Sequence, residues 1–228
     1  MQSVIIDGVD LYEEYGFITA SVSVQEPDVQ TKFIEVPMRD GSIDCSNVLS
    51  DIVRYKDRTI EINLFRMVAD ESILSMLSSF LHGQKKNITF GNDEGYYYVG
   101  RIAVSNVVRT KGTMTVTLTA ICEPFKYDVA LSDVDWEWDT FDLQNGIVNE
   151  LGGLEVKGTA TFTLICRRDR EFPLFTVSEP MELVFKDKTY LIKAGTNKLY
   201  NVFFDSGENE LTFNGYGTVS ISYRGGNL

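Results

Sequence analysis

The 228 residues include 33 acidic and 21 basic side chains, a formal net charge of −12 divided equally between the part up to residue 128 and the part beyond it. No cluster of Lys and Arg is large enough to replace the counterions of a nucleic-acid backbone, and no stretch approaches the ~18 apolar residues of a membrane span. We therefore expect neither stable nucleic-acid binding nor membrane insertion. Three cysteines, Cys45, Cys122 and Cys166, cannot form a secreted disulfide framework, so we expect synthesis in a reducing cytoplasm.

Residues 1–128 predict a mainly β domain with one helix. Alternation of apolar residues predicts strands because successive side chains of a strand point to opposite faces. The predicted strands are Ser3–Asp7, Phe17–Gln25, Lys32–Pro37, Thr59–Phe65, Asn87–Phe90, Tyr96–Val104 and Thr113–Cys122. Glu123–Pro124 ends the last of these, since proline cannot donate to a sheet ladder.

The predicted helix spans about residues 70–82. Its apolar residues share one stripe at a 3.6-residue period, which indicates packing against a sheet; they are Ile73, Leu74, Met76, Leu77, Phe80 and Leu81. Asp70 can cap its start. Gly83 can adopt the left-handed conformation that ends it.

The extended stretch at residues 25–51 contains few residues that could form a core of its own. Its middle carries turn-forming residues, and we expect an arm or long hairpin that grips a neighbouring subunit. The candidate contact residues are Pro37, Arg39, Asp40, Gly41 and Asp44.

Residues 129–228 predict a second domain, a β-sandwich, because short strands follow one another without a helix between them. The predicted strands are Leu154–Cys166, Met181–Phe185, Thr189–Ala194, Leu199–Phe204, Glu210–Phe213 and Thr218–Tyr223, with turns at residues 186–188, 206–209 and 215–217.

Few residues are suited to chemistry, and we assign no catalytic, metal or cofactor site. The single histidine, His82, ends a helix, where a surface residue is more common than a catalytic base. Four acids at a spacing of two, Asp133, Asp135, Glu137 and Asp139, share one face of a strand. We favour a solvated face for them over a calcium site or an acid–base pair.

Two tryptophans, Trp136 and Trp138, alternate with these acids. Such side chains can stack on a sugar ring. Packing within the second domain or at the seam between domains is the favoured interpretation, and sugar contact is the alternative.

Several segments, in their order along the chain, resemble the distal tail proteins of siphophages, the hub subunits of the tail tip. The Pro-Phe-x-Tyr segment is the sharpest marker. The residues that carry the resemblance are Gly16, the Pro37–Asp44 turn, Tyr55, Arg58, the helix end at Phe80–Gly83, Tyr96–Arg101, and Pro124, Phe125 and Tyr127. The resemblance covers residues 1–128 and, more loosely, 150–228.

The resemblance implies a tail-tube-like N-terminal β-sandwich with one helix and a galectin-like C-terminal β-sandwich. It implies a structural, non-enzymatic subunit of the virion, which forms a hexameric ring at the tail tip. The implied partners are further copies of the chain, the tail tube protein, the tape-measure protein, the tail-associated lysin or tip protein, and receptor-binding proteins. A carbohydrate-binding module for cell-wall glycans is the alternative, and a tail-associated hydrolase using the acidic cluster is a third possibility.

Overall fold

The structure is a computed structural model that describes residues 3–46, 48, 52–129, 131–132, 151–168 and 170–228. The chain forms two compact units, the first ending at Lys126 and the second beginning at Tyr127. Both units are built mainly of antiparallel strands, so the predicted mainly β fold is confirmed.

The first unit contains nine strands and two helices among the residues that the structure describes. In chain order they are β1 (Val4–Ile6), β2 (Val9–Asp10), α1 (Leu11–Tyr15), β3 (Ile18–Val24), β4 (Phe33–Glu35), β5 (Ser42–Asp44), β6 (Arg58–Arg66), α2 (Glu71–Leu81), β7 (Lys85–Phe90), β8 (Tyr96–Thr110) and β9 (Thr113–Cys122). Seven strands form one sheet in the order β2-β1-β7-β8-β9-β6-β3, and β4 pairs only with β5.

The core of the first unit lies on the face of the sheet that α1 and α2 cover. In β9 the alternation predicted from sequence is confirmed: Met114, Val116, Leu118 and Ala120 are buried. Cys122 continues this row as a buried thiol. The neighbouring strand β6 contributes its own buried row at alternate positions, so each of these two strands buries one side.

Helix α2 lies where the sequence predicts it, but Met76, which was expected in its packed stripe, is 52% exposed. The carboxylate of Asp70 accepts hydrogen bonds from the backbone N–H groups of Ser72 (2.9 Å) and Ile73 (3.3 Å). The helix ends at His82, whose N–H donates to Ser78 O, and Gly83 follows with a φ of 76°. The ring Nδ1 of His82 accepts a hydrogen bond from Val104 N–H, which assigns this histidine a structural contact.

The prediction of a single helix in this domain was wrong, because the short helix α1 precedes β3. Asp10 caps α1, and Gly16 ends it with a φ of 69°. Five residues make less than two turns, too short for the 3.6-residue period that identified α2. The cap and the terminal glycine are the sequence signals that α1 leaves.

Strand β10 (Lys126–Asp128) lies at the junction of the units. The strands that follow are β11 (Leu154–Cys166), β12 (Leu174–Val177), β13 (Met181–Phe185), β14 (Lys188–Ile192), β15 (Gly195–Lys198), β16 (Gly207–Ser222) and β17 (Gly226–Asn227). The order β14-β13-β16-β12-β15 makes a sheet, and β11 pairs with β16 along its whole length. Apolar side chains from all the longer strands fill a second core, separate from the first.

The turn predicted at residues 215–217 was wrong, since β16 runs through it as one strand. Both glycines keep positive φ values, 156° at Gly215 and 142° at Gly217. A Cβ at Gly215 would be 2.6 Å from Met181 Cβ, and one at Gly217 would be 2.5 Å from Ser178 Oγ. These glycines allow close approach of neighbouring chain, a frequent role of glycine in a strand. Here β16 also changes partner from β13 to β12, as strands shared by two layers do.

The strand predicted at Leu199–Phe204 was also wrong. Only Phe204 forms a bridge there, with Glu171, while Val202 N–H bonds back to Leu199 O in a turn. Val202 and Phe204 are nevertheless fully buried. Buried side chains therefore alternate with more exposed ones in this segment, although it pairs with no neighbouring strand among the described residues. The strands in this part of the unit are β12 and β15.

Candidate interaction surface

The segment from residue 25 to residue 57, here called the arm, leaves the sheet between β3 and β6. Backbone hydrogen bonds join its two limbs: Gln25 N–H to Thr59 O (3.0 Å), Lys56 N–H to Asp28 O (2.8 Å) and Gln30 N–H to Arg54 O (2.7 Å). These bonds prolong the antiparallel pairing of β3 with β6 beyond the sheet. These hydrogen bonds attach the arm to the sheet, and the residues that make them, 25–30 and 54–59, are here called the arm root.

The outer part of the arm is the two-stranded hairpin of β4 and β5, in which Ile34 pairs with Ile43. Its loop contains four of the predicted contact residues, Pro37, Arg39, Asp40 and Gly41, and all four are exposed. Met38 and Gly41 have φ values of 65° and 75°. A role of these residues in contact between subunits stays a prediction.

Asp44, the fifth predicted contact residue, closes the base of the hairpin. Its Oδ1 accepts hydrogen bonds from the hydroxyl (2.5 Å) and the backbone N–H (2.9 Å) of Ser46. These bonds stabilise the charged form and hold the pKa of the Asp44 carboxyl below its usual value. Ser46 Oγ in turn accepts from Lys32 N–H, which ties the two limbs together.

Several apolar side chains are exposed among the described residues of the arm. Met38 is fully exposed, Phe33 is 57% exposed, and every residue of β4 and β5 lies on the surface. The other exposed apolar residues of the arm are Val29, Ile34, Val36, Ile43, Val48 and Val53. A two-stranded hairpin is marginally stable in water by itself, and clustered exposed apolar residues indicate an interaction site.

The solvent face of the sheet contrasts with the arm. Asn63 donates from its amide to Ser21 Oγ (3.1 Å) and accepts at its carbonyl from Thr117 Oγ1 (2.8 Å). Ser105 and Thr119 make a similar hydroxyl pair. These residues of the solvent face are polar and already hydrogen-bonded, whereas the arm exposes several apolar side chains.

An aromatic pair and a buried arginine lie near the arm root. Tyr55 packs edge-to-face against Phe125, with 5.9 Å between ring centroids. Arg58, the first residue of β6, is 2% exposed and lies 5.4 Å from the centroid of the Tyr98 ring. Glu26 Oε2 is 4.0 Å from Arg58 Nη2. Tyr55, Arg58 and Phe125 belong to the segments that resemble distal tail proteins, but no motif in the sequence marks Glu26 as their neighbour.

No family model matches this chain, and no curated protein matches it in sequence. Among solved structures, the crystal structure of SPP1 Dit covers 100% of this chain and 100% of its own length, with a TM-score of 0.62 and 13% sequence identity. SPP1 Dit is described as a paradigm of the hub adsorption apparatus in phages that infect Gram-positive bacteria.

The chain has the fold of SPP1 Dit. The fold expected from the resemblance to distal tail proteins is thereby confirmed.

The remaining motif residues belong to different elements of this Dit-like fold. Gly16 ends α1. Pro124 lies two residues beyond the end of β9. Tyr127 belongs to the second unit, where the Arg168 guanidinium lies 4.8 Å from its ring centroid. The motif as a whole thus marks several structural positions instead of one site.

The predicted sugar contacts, Trp136 and Trp138, lie outside the described residues, as does the acidic cluster from Asp133 to Asp139. The carbohydrate-binding alternative stays a prediction. Titration with cell-wall polysaccharide would test it, and loss of binding on replacing both tryptophans by alanine would support it.

The part of the chain that the structure describes contains no cluster of His, Cys, Asp and Glu suited to a metal ion. A shallow groove along α2 is lined by Tyr15, Ser72, Ser75, Met76, Ser79 and Phe80. These side chains include hydroxyl, thioether and aromatic groups. Neither helix of the described chain combines the length and apolar content needed to cross a membrane.

Proposed function

We propose that this chain is a structural subunit of a phage tail tip that assembles with further copies of itself through the arm. The observation that carries the proposal is the exposed hairpin of β4 and β5 with its apolar side chains Phe33, Ile34 and Ile43, fixed to the sheet at its root. An unpartnered two-stranded ribbon gains stability when its apolar groups are buried against another surface. The Dit-like fold supports the same role, since SPP1 Dit is described as a hub adsorption protein.

In the full form of the proposal, six subunits form a closed ring in the virion. The ring joins the tail tube and tape-measure proteins to the tail-associated tip and receptor-binding proteins. An arm that reaches from each subunit to the next makes a head-to-tail contact, and such contacts close into rings when the rotation between subunits permits. The proposed function requires no catalysis.

Light scattering coupled to size exclusion tests self-assembly directly. We expect the wild-type chain to have six times the 25.7 kDa subunit mass. A variant in which residues 31–44 are replaced by a short Gly-Ser linker should have the subunit mass, because it lacks the hairpin. Its thermal unfolding should match that of the wild-type chain measured at monomeric concentration, since the hairpin contributes nothing to either core.

An intact oligomer in the linker variant would contradict the arm as the contact. A wild-type chain that stays monomeric at every concentration would contradict self-assembly itself.

A further inference from the structure

Arg58 is buried, and its ion-pair partner Glu26 lies too far away, at 4.0 Å from Nη2, to make a hydrogen bond. Within the part of the chain that the structure describes, its Nε and Nη2 atoms have no hydrogen-bond partner. These two nitrogens form one edge of the guanidinium group, which a carboxylate binds with both of its oxygens. The edge left unsatisfied is therefore complementary to one carboxylate.

Because Arg58 is buried, leaving this edge of the guanidinium group without hydrogen bonds is unfavourable. A guanidinium group cannot lose its proton in a protein, so Arg58 stays charged, and a buried unpaired charge is strongly destabilising. The face of the Tyr98 ring attracts the cation at 5.4 Å, but a ring face leaves the in-plane N–H groups unsatisfied.

Glu26 is the acid placed to fill the edge. Its Oε2 lies 4.0 Å from Arg58 Nη2, and its side chain is 85% exposed. The backbone around Glu26 is held by the Gln25–Thr59 and Asp28–Lys56 hydrogen bonds. A side-chain rotation that brings the oxygen about 1 Å closer would reach the length of a charge-assisted hydrogen bond.

Two other acids near this end of the sheet are already engaged. Asp93 pairs with Lys126 at 2.7 Å, and Glu123 pairs with Lys85 at 2.7 Å. Glu26 has no such competing cation among the ion pairs of the described residues.

We propose that Arg58 binds the Glu26 carboxylate through Nε and Nη2 when the arm engages a second copy of the chain, and that this ion pair locks the arm root in the assembled state. The inference rests on the proposed self-assembly. In the isolated subunit water competes for the exposed Glu26 carboxylate, so the pair gains little. A neighbouring subunit that covers the arm root excludes this water and strengthens the attraction. Formation of the pair is therefore coupled to assembly.

A double-mutant cycle on assembly tests the pair. The concentration of half-assembly is measured by sedimentation velocity over a dilution series for the wild-type chain, Glu26→Gln, Arg58→Met and the double variant. We expect each single variant to raise this concentration at least tenfold. The concentration of half-assembly of the double variant should not exceed that of the single variant that assembles less well, because either substitution alone removes the whole pair.

Glu61→Gln is the matched control. Glu61 lies on the same strand as Arg58, its side chain is exposed, and it accepts a hydrogen bond from Asn63 that a glutamine oxygen can also accept. It should assemble within twofold of the wild-type concentration. Circular dichroism checks that Arg58→Met folds, and Glu26→Gln keeps the test informative if it does not, because Glu26 lies on the surface.

Assembly of Glu26→Gln at the wild-type concentration would overturn the inference while leaving the proposed function in place. The inference would also be overturned if the fold-change in the double variant equalled the product of the fold-changes in the two single variants. A wild-type chain that never assembles overturns both the inference and the proposed function.

Discussion

The Sγ atom of Cys122 occupies the place where a side chain on Gly100 would begin. The two residues face each other across β8 and β9. A Cβ on Gly100 would be 2.3 Å from this sulfur and 2.8 Å from the carbonyl oxygen of Ile121. The approach of these two strands therefore requires glycine at position 100.

Gly100→Ala should lower the free energy of unfolding by about 1–3 kcal/mol, since an extra methyl group in a packed core forces neighbouring atoms to move. Urea unfolding followed by fluorescence measures this change. Adding Cys122→Ala should restore part of the loss, because it removes the sulfur but leaves the Ile121 carbonyl in place. If Gly100→Ala is as stable as the wild-type chain, the packing described for this strand pair is incorrect.

The Cys122 thiol should make stability depend on pH in the alkaline range. Burial raises the pKa of this thiol from its ordinary value of 9.0 to about 12. Above pH 9 the unfolded chain loses this proton while the folded chain keeps it, so stability falls as pH rises from about 9 to 12. The thermal midpoint of the wild-type chain should therefore fall more steeply over this range than that of Cys122→Ala.

Thiol labelling provides an independent check on the same group. The reactive species is the thiolate, so a thiol reagent at pH 8 should modify the half-exposed Cys45 and leave Cys122 unmodified until the chain unfolds. Rapid labelling of Cys122 in the folded chain would contradict its burial.

The N-cap of α2 should be replaceable by asparagine but not by alanine. Asp70→Ala removes the oxygen that accepts from Ser72 and Ile73 N–H, and should cost about 1 kcal/mol of stability. Asp70→Asn keeps an accepting oxygen and should stay within a few tenths of a kcal/mol of the wild-type value. Equal losses in the two variants, measured by urea unfolding, would indicate that charge and not capping is important at this position.

A charge at the tip of the arm should weaken assembly without affecting the fold. Met38 is fully exposed, so Met38→Asp should leave thermal unfolding of the monomer unchanged. It should raise the concentration of half-assembly at least tenfold, because assembly would then bury a carboxylate. The matched control is Met67→Asp, the same substitution at a residue 70% exposed and outside the arm. Equal effects of the two substitutions would contradict a specific role of the arm.

The elements with strong local signals were predictable from sequence. The period of α2 and the alternation of β9 were confirmed, because each depends on one buried face whose side chains recur at the spacing of the element. The arm could be recognised as a segment with few core residues, and its hairpin loop was marked by turn-forming residues.

Elements with weak or ambiguous signals were missed. Helix α1 is too short to show a period. Glycines in β16 were interpreted as a turn, although close approach of Met181 and Ser178 is what requires them. Buried residues near Phe204 alternate without pairing as a strand. In each case the deciding contact comes from residues distant in sequence.

The amino-acid sequence by itself determined the mainly β class, the main helix and the candidate arm, since local periodicity and turn chemistry are encoded in neighbouring residues. Only the tertiary structure decided that Arg58 would be buried with one edge unsatisfied and that Glu26 would lie 4.0 Å from it. In the sequence Glu26 looks like an ordinary surface charge, and the motif that includes Arg58 does not indicate that its guanidinium group is buried. Burial and pairing depend on which strands and aromatic rings the fold brings around them, and this information is not local.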